Sequence, residues 1–141
     1  MPYYAVIDTN VLVSAMLKWD SLPGNIMELV FGGCIIPVFN DDIIAEYREV
    51  LNRAKFHFNE AIVDDFVGSI IEVGLSIEAE PLNIDFKDPK DKVFYEITME
   101  EMKKNDTYLV TGNIKHFPKK HFIVTPRQML EIIATTNTNC D

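Results

Sequence analysis

Four positions in this sequence carry groups whose type and placement could do chemistry. Asp8 ends a short apolar run, Tyr3–Ile7, with the β-branched and aromatic content of a buried strand. Asp91 lies near the start of a stretch with helical period. At roughly 100° per residue, Tyr95, Thr98 and Met102 all fall within about 40° of it, so this acid shares the apolar face. An unpaired charge there is costly. In the helical stretch 41–51, Glu46 lies about 40° from Val50 and is the acid nearest the buried edge, whereas Asp41, Asp42 and Glu49 turn away. Asn113 follows the apolar run 108–110 and the pair Thr111-Gly112. An oxygen-rich set without Cys or His selects a hard cation, Mg²⁺ or Mn²⁺. Such a cation among carboxylates suits phosphodiester hydrolysis, where it acidifies water and stabilises charge on the attacking and leaving oxygens.

Each position also has a plainer explanation. Glu46 could be a boundary glutamate paired with Arg53. Asp88-Pro89 is a good helix start, with Asp at the cap and Pro at the first helical position. Asp91 could simply favour the helix dipole, although that does not explain its inward direction. Thr111-Gly112-Asn113 suits an ordinary turn.

The elements that must position these groups alternate. Tyr3–Ile7 reads as a strand and 10–17 as a helix, with Thr9 and Asn10 suited to its start. Residues 18–20 form a turn, and Ser21 caps a helix with Pro23 in its first turn that stops at Gly32-Gly33. A strand follows at 34–39, then a helix capped by Asn40 or Asp41 to Leu51, a helix at 59–73 and a strand at 75–79. After a loop at 80–87, a helix runs from Asp88 to about Lys104, followed by strands at 107–111 and 122–125. A last helix covers 126–135. The pattern predicts one α/β domain over 1–135, a parallel sheet of about five strands covered on both faces, and a polar tail at 136–141. If the strands ending at Asp8 and Thr111 are neighbours, Asp8, Asp91 and Asn113 converge on one crevice.

The totals narrow the classes further. A chain of 141 residues with a net charge of −9 has no general basic face for nucleic acid, although a local one could exist beside an acidic site. The two cysteines, Cys34 and Cys140, imply no disulfide framework or zinc site, so Cys34 reads as a small buried hydrophobe and a reducing cytoplasm as the setting. No apolar run is long enough to span a membrane, and the amino-terminal residues lack the pattern of a signal peptide.

The stretches Asp8-Thr9-Asn10-Val11-Leu12-Val13-Ser14-Ala15, Glu46-Tyr47-Arg48-Glu49-Val50-Leu51, Asp88-Pro89-Lys90-Asp91 and Leu109-Val110-Thr111-Gly112-Asn113 together resemble the PIN-domain family, in particular its toxin branch from toxin–antitoxin pairs. The resemblance implies a PIN-like three-layer sandwich and a metal-dependent ribonuclease acting on single-stranded RNA. It implies Asp8, Glu46 and Asp91 as the metal-binding carboxylates. The family's fourth position, often Asp, falls on Asn113, whose amide carbonyl can contact a metal or water but carries no charge. By the same resemblance Asp88, Thr9, Asn10, Ser14 and Thr111 could be auxiliary groups, although Thr9 and Asn10 could equally cap a helix and Ser14 be an ordinary helix residue. Lys115 and His116 could contact RNA phosphate or lie in a solvated turn. The resemblance further implies an antitoxin partner, and apolar helix faces leave room for a homodimer. A second reading is a PIN-like module that binds protein or RNA without useful turnover. A phospho-acceptor domain fits less well, because no acidic pair follows the first strand.

Overall fold

Apolar runs bounded by capping residues, Gly and Pro become strands, and stretches of helical period become helices. The computed structural model describes residues 2–136. In chain order these form β1 (Tyr3–Ile7), α1 (Thr9–Leu17), α2 (Leu22–Phe31), β2 (Ile35–Phe39), α3 (Asp41–Leu51), α4 (Glu60–Val73), β3 (Leu75–Ser76), α5 (Pro89–Glu101), β4 (Thr107–Val110), β5 (Ile123–Val124) and α6 (Pro126–Thr136). Short 3-10 turns lie at Ala54–Phe56 and Ile114–His116. Of the polar tail expected at 136–141, Thr136 closes α6 and 137–141 lie outside the described residues.

The sheet order is β3-β2-β1-β4-β5, and every neighbouring pair is parallel. The chain therefore starts in the centre, winds out to one edge, and returns to the other side of β1 at β4. That reversal is the switch point of a doubly wound sheet. Ile7 stands opposite Val110, and the Asp8 N–H donates to the Val110 carbonyl at 2.9 Å. The groups that follow β1 and β4 thus emerge side by side.

The core explains why β1 carries so little polarity. Ala5, Val6 and Ile7 are sealed between layers, with α5 packed on β1, β2 and β4. Val11 and Leu12 of α1, Ile26 and Met27 of α2, Ile43 and Tyr47 of α3 and Phe94 and Ile97 of α5 are almost fully buried in the same cluster.

Several boundaries differ from the sequence pattern, each for a local reason. α1 starts at Thr9 because Asp8 itself is the N-cap, its carboxylate accepting from the Thr9 N–H. β3 has two residues rather than five. It pairs only with Val38 and Phe39, where β2 ends, and the Ile77 N–H to the Phe39 carbonyl is the last rung. β5 is as short because it pairs only with Leu109 and Val110. α5 stops at Glu101, with Met102 as its cap.

Cys34 precedes β2 and is buried. Among the described residues no helix is long and apolar enough to cross a membrane.

Gly24 in the first turn of α2 shows how tightly that helix is seated, since a Cβ there would stand 1.8 Å from the Trp19 carbonyl oxygen. Gly68, inside α4, has nothing within 4 Å of such an atom. Gly24→Ala is expected to lose about 1–3 kcal/mol by forcing backbone apart. Gly68→Ala is expected to gain about 0.5–1 kcal/mol by helix propensity. Chemical denaturation of the two variants beside the parent checks both signs.

Candidate active site

The site begins where β1 passes into α1. Asp8 is only 7% exposed. Its Oδ1 accepts from its neighbour's amide, Thr9 N–H, at 2.8 Å. Its Oδ2 accepts from the Thr111 hydroxyl at 2.8 Å and from Asn10 Nδ2 at 3.2 Å. Thr111, fully buried at the end of β4, is thus a positioning group for Asp8 and not the plain turn residue its sequence suggests. Its hydroxyl oxygen in turn accepts from the Asn113 N–H at 3.0 Å. Asn10 bridges the same gap, its Oδ1 accepting from the Gly112 N–H at 3.0 Å.

Glu46 comes from α3 and is the least exposed acid of that helix, with its side chain 21% accessible. Thr9 Oγ1 donates to its Oε2 at 3.3 Å, and Lys90 Nζ lies 3.9 Å from Oε1. The alternative pairing with Arg53 does not occur, because Arg53 grips Glu49. The next residue, Tyr47, supports this geometry, and nothing in its sequence context singles it out. Its buried hydroxyl donates to the Ile7 carbonyl at 2.5 Å, tying α3 to the residue before Asp8.

Asp91 comes from the first turn of α5, with its side chain 17% accessible. Its Oδ2 lies 3.5 Å from His116 Nδ1, an ion pair whenever that ring is protonated. Asp88 caps α5 by accepting from the Lys90 N–H at 2.9 Å, as the Asp-Pro pattern predicts. Asn113 turns to His116, its Nδ2 standing 3.0 Å from Nε2, and not to the acids. Lys115 is exposed in the same 3-10 turn, and Ser14 is exposed on α1 with no side-chain hydrogen bond to the acids.

The electrostatics tie the three carboxylates together. Burial pushes the Asp8 carboxyl up to about 6; its bonds from Thr111 and Thr9 oppose that rise, while the charges of Asp91 and Glu46 add to it. Asp91 is also raised, first by burial and then by Asp88 and Glu46, with His116 opposing. Tyr47 is raised well above the usual phenol range by burial and then by Asp8 and Glu46. The crevice therefore gathers negative charge that water screens only in part, least of all at Asp8.

The donor chemistry of Asp8, Glu46 and Asp91 fits a hard cation: oxygen atoms only, excess charge, partial burial. Yet among the described residues no three His, Cys, Asp or Glu side chains stand close enough together to hold a metal ion. The reason is visible in the hydrogen bonds. Asp8 is occupied by Thr9, Asn10 and Thr111, Glu46 faces Lys90, and Asp91 faces His116. A cation entering here would take over the charge compensation that Lys90 and His116 provide.

The PIN-domain family model matches residues 4–115, a span containing every acid of the crevice and the whole β1–β4 switch point. The chain belongs to the PIN-domain family. No curated protein and no solved structure matches it. The fold is the PIN-like α/β fold, with its parallel sheet of five strands.

The raised Asp8 carboxyl has a consequence for stability. A carboxylate whose pKa is higher folded than unfolded favours the folded state only while protonated, so that stability is present in acid and is lost as pH rises through about 6. Asp8→Asn removes this loss. In chelator, the variant is expected to match the parent near pH 4 and to exceed it by up to about 3 kcal/mol at pH 8, the shift from 3.8 to about 6 taken at 1.36 kcal/mol per pH unit. Urea titrations across that range measure the difference directly.

Proposed function

We propose that this PIN-domain chain is a metal-dependent endoribonuclease acting on single-stranded RNA in the cytoplasm, and that it is the toxin of a toxin–antitoxin pair. The observation that carries the nuclease reading is Asp8: a buried carboxylate, raised to about 6, facing two further acids at the switch point of the sheet. A charge so poorly solvated calls for a cation. In this reading Asp8 and Asp91 hold Mg²⁺ or Mn²⁺, with Glu46 as third ligand or as the base that orients water. Bound there, the cation would supply a more acidic water and charge stabilisation on the attacking and leaving oxygens.

The chain's own groups have separate tasks. Thr111 and the Thr9 amide keep Asp8 in one rotamer, and Tyr47 holds α3 so that Glu46 faces it. His116, once released from Asp91, is free to face a phosphate. Asn113, through its contact with His116, orients that ring rather than acting as a fourth acid. The toxin assignment rests on the motif resemblance. An antitoxin would cover the crevice with a cationic side chain, and one arginine among the acids could replace the metal. Formation of a homodimer is compatible with this reading.

A second reading, a PIN-like module that binds without turnover, draws support from the same contacts. Lys90 and His116 already compensate two of the acids, and the fourth position is an amide.

The two readings separate on Asp8→Asn. Under the nuclease reading, Mn²⁺ raises the melting temperature of the parent and supports cleavage of a panel of single-stranded RNAs. The variant loses the thermal shift and at least about a hundredfold in rate, the scale of removing one strong electrostatic contributor. Equal cleavage by parent and variant sinks the mechanism. A thermal shift without cleavage of any RNA selects the binding module.

A further inference from the structure

Between Asp106 and Glu131 the sequence contains no acid, in a chain with 22 of them. The same interval holds Lys115, His116, Lys119, Lys120, His121 and Arg127. Charge is thus segregated along the chain: the acids of the crevice precede Asn113, and the segment that follows it is basic, with His116 in contact with Asp91. Residues 112–122 carry the chain from the carboxyl end of β4, beside Asp8, back to the start of β5 at the sheet's edge. Along this return path lies an open pocket of about 280 Å³. Lys115, Lys119 and Lys120 ring it, and all three are exposed. Its floor is apolar, formed by Ile114, which is 40% exposed, together with Pro118 and the buried Phe117. Phe117 is buried and makes an edge contact with the Phe86 ring.

Apolar floor and cationic rim are the two things a single nucleic acid strand asks for: a surface for a base face and charges for the phosphates on either side. The net charge of −9 sharpens the point, since elsewhere the molecule repels a polyanion. We propose that this pocket seats the nucleotides of single-stranded RNA that lie just beyond the phosphate held at the acidic crevice, with Lys119 and Lys120 on the backbone and Ile114 under a base. His116 stands at the junction, in reach of Asp91 on one side and preceding the basic run on the other. The proposal rests on the nuclease reading for its orientation, but its binding test does not require cleavage. A double helix presents no free base face to the floor and is disfavoured.

Fluorescence anisotropy of a short labelled single-stranded RNA, in chelator so that no strand is cut, tests the seat. The double variant Lys119→Ala/Lys120→Ala is expected to bind about tenfold more weakly, with the slope of log K against log salt reduced by about 1.4, or 0.7 for each lost phosphate contact. Ile114→Ser is expected to weaken binding while leaving that slope unchanged. Lys103→Ala/Lys104→Ala, just past the far end of α5, is the control and should match the parent. Far-UV circular dichroism of the variants verifies folding, which these exposed side chains should not disturb. Affinity and salt slope unchanged in the Lys119/Lys120 variant overturn the proposal. So does equal loss for duplex and single strand, or an acidic peptide bound through the same lysines in preference to RNA. If Asp8→Asn cleaves like the parent while the lysine variants lose RNA, the nuclease reading fails and the seat stands. If the reverse holds, the seat alone fails.

Discussion

A carboxylate held out of water at the end of a central strand is the constraint around which this molecule is arranged. Asp8 must follow β1 because only there can the Thr9 amide, the Asn10 side chain and the Thr111 hydroxyl reach it together. That requires β1 and β4 to be neighbours, which requires the sheet to reverse direction between them. The reversal in turn sends the chain through α5 and delivers Asp91 to the same edge. Three hydrogen bonds offset part of the desolvation, and what remains is expressed in the raised carboxyl. Fold and site are therefore linked from the first residues onward.

Much of this is legible in the residues. Five short apolar runs separated by helical periods specify the parallel sheet, and the inward direction of Asp91 is visible in its spacing from Tyr95 and Thr98. Glu46 is likewise distinguishable from Asp41, Asp42 and Glu49 by helical geometry alone. What escapes are the partners. Lys90 opposite Glu46, His116 opposite Asp91 and Tyr47 on the Ile7 carbonyl all join segments distant in sequence, and periodicity within one element carries no information about them. Thr111 illustrates the difficulty well. A Thr-Gly-Asn triplet satisfies turn chemistry so fully that only the family resemblance marks Thr111, and its bond to Asp8 cannot be read from spacing. The pattern overstates the lengths of β3 and β5 for a related reason, since a strand lasts only as long as its neighbour does.

The same molecule keeps strong negative and positive regions close together without collapse. Lys90 and His116 form the seam between them, each touching an acid while remaining more than half accessible to water. Pairs so exposed contribute little to stability. Both are easily exchanged, as the proposed entry of a cation and an RNA strand would require.

The hydroxyl of Tyr47 on the Ile7 carbonyl connects the residue beside Glu46 to the residue beside Asp8, deep in the core. The gap between those two acids is accordingly a dimension of the hydrophobic interior, not of a surface loop. Under the proposed reading, any preference for one cation over another at this edge would be inherited from the packing beneath α3, where the spacing of the two acids is set.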